Sequence, residues 1–460
     1  MQNKLIKKNI PNFVLNFFSK GHPRTIKAKK NIIVSFGLKG FSILVSFLLV
    51  PLTLNYLNPT KYGIWLTLSS IIGWFGFFDI GLGNGLRNKL AEAFALNNYK
   101  LAKAYVSTTY ITLLIIIGGV YILFLSINPF LNWSKILNTT PEMAGELSWI
   151  ALIIFTFFAL RFILKLIGVI LTANQLPAYN NAFGPIGNLI ALISIYFITK
   201  FTHSNLLYIS VIYSASPVIV LIFVSIYFFN GKYKYIKPSF KSVYFKYFKS
   251  LAGLGVNFFI LQIVVLVVFS TDNLIITRIL GPSEVTPYNI AFTYFRIPVM
   301  LFSIIISPYW SAFTDAITKN DKKWIKNSIN KLIKIWLLFL VGVIVLLAIS
   351  QYFYLMWVGD KVQIPFILSI FMGLYAIIRI ETSVFGTFIN GVGKIKLQMY
   401  YGIIGMLINI PISVFFARNL EMGSAGVILG TCISLAPGIV LGPIQYFKII
   451  NNKATGIWNK

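Results

Sequence analysis

The stretch that decides the fold is "GNGLRNKLAEAFALNNYKLAKAYVSTTY", residues 83–110, a polar and mostly basic segment set between two long apolar runs. It recurs. From Glu92 the chain reads "EAFALNNYKLAKAYVSTTYITLL", and from Asp315 it reads "DAITKNDKKWIKNSINKLIKIWL". Glu92 matches Asp315, Ala93 matches Ala316, Asn97 matches Asn320 and Lys100 matches Lys323, all at an offset of 223 residues. The same offset carries Leu57 onto Leu280 and Pro59 onto Pro282, in "YLNPTKYGIW" and "ILGPSEVTPYNIAF". Two separate matches at one offset predict a duplicated chain, with an N-terminal half at 32–235 and a C-terminal half at 236–460 behind a basic segment, 1–31.

The surroundings of this stretch say which solvent the chain folds in. Of 460 residues, 57% are hydrophobic, 16% aromatic and only 11% charged, with mean hydropathy +0.80. Soluble domains do not have this composition. Apolar runs of about 20 residues, the length that crosses a bilayer core as a helix, recur from end to end. They predict twelve spans, near 32–55, 62–81, 104–127, 147–171, 179–199, 205–229, 252–276, 287–312, 332–356, 363–389, 398–417 and 423–447. The expected fold is therefore an all-α polytopic membrane protein with about twelve transmembrane helices in two six-helix bundles around a central cavity. Six is even, so both halves enter the membrane in the same sense and their symmetry axis runs along its normal.

The net charge of +29 would point to nucleic acid in a soluble chain, but here the charge follows topology. Of 40 Lys and Arg, 29 fall before the first span, in the links after the even-numbered spans and at the C-terminus. The opposite loops hold six: Lys61, Lys135, Lys200, Arg278, Lys361 and Arg418. The excess of positive charge on one side places both termini in the cytoplasm and removes nucleic acid as a partner. Segment 1–31 reads either as an interfacial helix, holding anionic membrane lipids through its lysines and inserting Ile10, Phe13, Val14, Phe17 and Phe18, or as a solvated tail. Trp65, Trp74, Trp149, Trp310, Trp336 and Trp357 fall near span ends and read mostly as an interfacial belt.

No catalytic or metal-binding constellation stands out. His22 and His203 are isolated, Cys432 is the single cysteine, and no HExxH, phosphate-cradling glycine loop or nucleophile–base arrangement is present. An enzyme, a resident cofactor and an ATP-driven pump within this chain are not expected.

Charge inside a bilayer is costly and marks function. Five basic residues lie within spans: Lys39, Arg161, Lys165, Arg296 and Arg379. Arg161 and Lys165 are four apart and share one helix face, and a paired cationic face suits a pyrophosphate. Arg87, just beyond the second span, reads first as an interfacial residue and otherwise as one that meets a substrate at the inner mouth. Three acids lie in or beside spans, Asp79, Asp272 and Glu381. A buried carboxyl of this kind carries a proton or a cation, or makes a structural bond. Glu381 is two residues from Arg379, so the two point apart on one helix.

The residues "VPLTLNYLNPTKYGIW", with Pro51, Leu57, Tyr62, Gly63 and Trp65, and "DIGLGNGLRNKLAE", with Asp79, Gly81, Gly83, Arg87 and Glu92, carry a family resemblance. The chain resembles the polysaccharide biosynthesis transporters, the O-antigen and exopolysaccharide flippases of the multidrug/oligosaccharidyl-lipid/polysaccharide exporter superfamily. The resemblance implies a MATE-like fold and a flippase that moves an undecaprenyl-pyrophosphate-linked oligosaccharide from the cytoplasmic to the outer leaflet of a bacterial inner membrane by alternating access. It also implies a basic cavity, coupling to a proton or sodium gradient, and polysaccharide polymerase and glycosyltransferase machinery as partners. A small-molecule or multidrug antiporter of the same superfamily is the alternative, against which the basic rather than acidic spans count.

Overall fold

The computed structural model describes residues 23–74, 82–174, 176–248, 267–268, 270–307, 309–318 and 320–460. Lipid offers the backbone no hydrogen-bond partner, so a spanning chain must satisfy its amides internally. The described residues accordingly form helices and no strand. Among them, ten helices are long and apolar enough to cross a membrane. These fall on ten of the twelve expected spans. The second begins in a described helix, Pro59–Gly73, and its end, with Asp79, lies outside the described residues. Most of the seventh span and the N-terminal segment with Ile10 to Phe18 lie outside them too.

The helices in chain order are α1 (Pro23–Tyr56), α2 (Pro59–Gly73), α3 (Leu82–Ala95), α4 (Tyr99–Ile127), α5 (Ala144–Leu164), α6 (Leu166–Ala173), α7 (Pro177–Phe201) and α8 (Leu206–Asn230). They continue with α9 (Asp272–Leu280), α10 (Val285–Ile306), α11 (Tyr309–Thr318), α12 (Lys322–Val358), α13 (Phe366–Val392), α14 (Lys396–Val414) and α15 (Gly423–Ile450). In the first group α1 lies along α7, and α8 packs on α5 and α7. In the second, α13 is central and packs on α10, α11, α12 and α15. The 37 residues of α12 extend about 56 Å at 1.5 Å each. That exceeds a core of about 30 Å, so its lysine-rich first turns, from Lys322 to Lys334, project beyond the apolar slab.

The polar interruption has the same geometry twice. Asn97 and Asn320 both take left-handed backbone, at φ 52° and 57°, and end α3 and α11. The next residue folds back in each case, Asn98 N–H onto Ala93 O at 2.9 Å and Asp321 N–H onto Ala316 O at 2.8 Å. Its side chain then caps the following helix, Asn98 accepting from Leu101 N–H at 3.0 Å and Asp321 from Trp324 N–H at 2.9 Å. Every pair in this description is related by the offset of 223. On the first copy Lys89 pairs with Glu92 at 3.0 Å, and that hydrogen bond holds the Lys89 ammonium above the usual lysine range.

The two groups meet in a seam at the end of the molecule opposite the C-terminus, continuing toward mid-depth. A Cβ at Gly63 would stand 1.7 Å from the Pro282 carbonyl oxygen, so only glycine lets α2 come this close. The position 223 residues on is Thr286, and its hydroxyl donates to Pro59 O at 2.7 Å. Deeper, Thr67 and Thr277 share a hydroxyl hydrogen bond of 2.6 Å, and Asn273 Nδ2 donates to Ser70 Oγ at 2.8 Å. At the rim Asn138 donates to Thr277 O, Arg278 donates to Lys135 O, and Lys361 donates to Asn55 Oδ1.

Several tryptophans near span ends also bond or pack against neighbouring helices. Trp74, Trp336 and Trp357 donate their indole N–H to Ser270 O, Ile377 O and Phe47 O, and Trp65 packs on Tyr213 with centroids 4.3 Å apart. Trp149 and Trp310 remain exposed. A buried indole N–H needs a hydrogen-bond partner, and these carbonyls supply it.

Two predictions follow from the turn and the seam. Asn98→Ala and Asp321→Ala each lower thermal stability in detergent, by about 1 kcal/mol, while Asn97→Gly stays near wild type because glycine accepts left-handed backbone. Gly63→Ala forces the seam apart. A cysteine at Thr277, buried in the parent and carried in a Cys432→Ser background, then labels faster; unchanged labelling would contradict the close approach.

Candidate functional site

The structure gathers polar and charged groups within the apolar second group of helices. Asp272 opens α9, 6% exposed, where the positive end of the helix dipole favours a carboxylate. Its Oδ2 accepts from the Tyr288 hydroxyl of α10, and Thr431 Oγ1 of α15 lies 3.4 and 3.5 Å from its two oxygens. Asn409 of α14 donates to Thr431 Oγ1 at 3.2 Å and to Ser434 Oγ at 3.3 Å. Its own Oδ1 is buried without a partner. Nearby, the Ser413 hydroxyl donates to Val427 O at 3.2 Å. Oxygens predominate in this cluster, a carboxyl, hydroxyls and one unpartnered amide carbonyl, with the Cys432 thiol also within electrostatic reach of Asp272. Hard cations and protons favour such a set.

Tyr375 of α13 lies within electrostatic reach of Asp272 and of both Arg296 and Arg379. Arg379, midway along α13, lines a cavity of about 280 Å³ between α13, α14 and α15, where hydroxyl and amide side chains interrupt a mainly apolar wall. Arg296 is exposed on α10. The spacing argument for Arg379 and Glu381 holds. Glu381 turns to the other side of α13, into a largely apolar cavity of about 380 Å³ with Trp336, Phe385 and Ile439. It is 9% exposed, and its Oε2 has no hydrogen-bond partner.

Arg161 and Lys165 belong to the first group of helices and stand on adjacent turns. Arg161 is exposed. Lys165 sits at the break between α5 and α6, its ammonium 3.6 Å from the Phe162 ring centroid. The expected shared face is thus turned partly to a cation–π contact. Lys39 is half-buried on α1, Arg87 is exposed on α3, and Asp79 lies outside the described residues.

Sequence reasoning missed Tyr288, Asn409, Thr431 and Ser434, which surround the acid. Asparagine in a span carries a cost like that of charge, and Asn409 in "GMLINIPISV" was the available signal. Among the described residues no cluster of three or more His, Cys, Asp or Glu forms a metal site.

A two-group helical transporter with polar and cationic residues in its interior is the class that fold and site define, and solved structures agree on the fold. A MATE-family multidrug resistance transporter in its inward-facing conformation superposes with TM-score 0.72 at 13% identity, over 92% of this chain and 100% of that one. The lipid II flippase MurJ, inward closed, gives TM-score 0.63 at 16% identity, over 92% of this chain and 94% of its own. The chain belongs to the polysaccharide biosynthesis protein family, which matches residues 28–314, and the MatE family matches 258–415. A Salmonella typhimurium protein provisionally named an O-antigen transporter is 22% identical over 406 residues, 85% of this chain and 90% of that protein. A Yersinia pseudotuberculosis protein provisionally named for O-antigen export is 21% identical over 387 residues, 79% of this chain and 83% of its own.

If Tyr288 holds the carboxyl of Asp272, Tyr288→Phe leaves a buried acid with only long bonds to Thr431. The expected loss is about 1–3 kcal/mol of stability in detergent, read by thermal unfolding, and combining it with Asp272→Asn recovers part of the loss.

Proposed function

We propose that this protein translocates a lipid-linked glycan across the membrane, and that its cargo is an undecaprenyl-pyrophosphate-linked repeat unit taken from the cytoplasmic leaflet. The observation that carries the reading is Arg379 at mid-depth in a cavity whose lining includes hydroxyl and amide side chains. A diphosphate bearing a sugar asks for that combination, a guanidinium for the anion and neutral polar groups for the hydroxyls. Membership of the polysaccharide biosynthesis family and likeness to proteins named for O-antigen transport support it. The basic tail and links put both termini in the cytoplasm of a bacterial inner-membrane protein. Two halves, meeting near 235, rock about the seam to alternate access. The seam's closure opposite the C-terminus fits a state that receives cargo from the cytoplasm.

Asp272 is the group that carries the coupling cation, a proton or sodium, with Thr431 and the vacant Asn409 Oδ1 completing its oxygen set. A second reading has one observation in its favour: the buried Glu381 carboxyl in a greasy cavity suits a lipophilic amine, as in small-molecule antiport.

The test is transport of labelled undecaprenyl-pyrophosphate glycan in proteoliposomes under imposed proton and sodium gradients. Arg379→Ala and Arg161→Ala are each expected to slow it by about 10- to 100-fold, the worth of one charge-assisted hydrogen bond. Asp272→Asn is expected to lose stimulation by the gradient while keeping slow downhill exchange. Glycan transport absent under every gradient, with a lipophilic ammonium dye moved in a Glu381-dependent way, would replace this reading with the second.

A further inference from the structure

The link that follows α8 alternates two kinds of side chain. From Gly231 to Phe248 it reads "GKYKYIKPSFKSVYFKYF", lysines interleaved with aromatic rings, and the chain holds no acidic residue between Glu146 and Asp272. Its five lysines are all exposed, and among the described residues none pairs with a carboxylate. One side of the link is fixed to protein. Tyr233 and Ile236 are buried, Ser239 N–H donates to Ser107 Oγ at 3.1 Å, and Tyr244 N–H donates to Thr108 Oγ1 at 3.0 Å. The other side has no such cover. Phe240 is 81% exposed and Phe245 58%, an apolar surface that is costly to leave in water.

The bonds to α4 set the depth of this surface. The 29 residues of α4 extend about 43 Å at 1.5 Å each, well beyond a hydrocarbon core of about 30 Å. Its charges, Lys100 and Lys103, are confined to the first two turns, and the next charge in the chain is Lys135. Ser107 and Thr108 therefore stand one turn past the last charge, where headgroups give way to acyl chains. The link is bonded at that level.

We infer that residues 231–248 are a docking surface for the anionic phospholipids of the cytoplasmic leaflet, with the lysines on lipid phosphates and Phe240 and Phe245 in the acyl boundary. Depth decides the occupant: a soluble acidic protein meets the lysines but does not reach the level of Thr108. The two halves join near 235, so docking holds their junction in the plane of the leaflet. The inference rests on the cytoplasmic placement of this link and not on the identity of the cargo.

The experiment uses the purified full chain with Ser242→Cys in a Cys432→Ser background, carrying a fluorophore on the link. It is placed in nanodiscs of phosphatidylcholine, of phosphatidylcholine with phosphatidylglycerol, or of phosphatidylcholine with a prenyl pyrophosphate. Quenching by a lipid spin-labelled high on its acyl chain reads how closely the link lies on the leaflet. Phosphatidylglycerol should raise quenching by about twofold, and high salt should remove the rise. Lys232→Gln, Lys234→Gln, Lys241→Gln and Lys246→Gln together should remove it as well. Phe240→Ser with Phe245→Ser should lower quenching in every lipid. Equal quenching with and without phosphatidylglycerol overturns the inference, as does a rise that survives high salt; both comparisons need no lysine variant to fold. A rise confined to discs with prenyl pyrophosphate overturns it in favour of a site for the cargo headgroup.

Discussion

A missing side chain sets how the two groups of helices can meet. Because Gly63 has no Cβ, the α2 backbone reaches the Pro282 carbonyl directly. At the matching position of the other group the contact is made by addition, with Thr286 bonding Pro59 O. One contact depends on an absence and its mate on a hydroxyl. The bonds below them are neutral hydrogen bonds between hydroxyls and amides, each worth about 1 kcal/mol or less inside a membrane. Such a seam is specific in register and modest in strength, as a surface that must part repeatedly requires.

The same helix carries both the seam and the acidic cluster. On the first turn of α9, Asp272 faces Tyr288 and Thr431, and the next residue, Asn273, reaches Ser70 on α2. Asn273 also accepts from Asn289 at 2.8 Å, tying α9 to α10. A change of charge at Asp272 is therefore felt within one residue of an inter-group hydrogen bond. No long relay is needed between the two.

The spans and the duplication were legible because their physics is local. A bilayer demands about 20 apolar residues whatever their order, and the Asn97–Asn98 turn is written in two adjacent residues that recur as Asn320–Asp321. The opposed directions of Arg379 and Glu381 also followed from spacing on one helix. The company of Asp272 did not, since Tyr288, Asn409 and Thr431 come from three other helices and hydroxyls are ordinary in membrane spans. Gly63 was visible only as part of a motif; its role needs Pro282, 219 residues away by number, to be placed against it. The carbonyl partners of Trp74, Trp336 and Trp357 were hidden for a related reason, because position near a span end does not reveal whether a neighbour offers a carbonyl to the indole.

The back-bonded hydroxyls of α13 have a mechanical consequence. Proline is absent from this helix, yet Thr382 and Ser383 in succession share the carbonyls of Ile378, Arg379 and Ile380 with the backbone ladder. Side-chain bonds of this kind loosen a helix and favour a bend. The turn where such a bend is favoured thus lies immediately beside Arg379, in the wall of the cavity. Bending is thus favoured within one cavity wall, while the seam, with its glycine contact, fixes the register of the two groups.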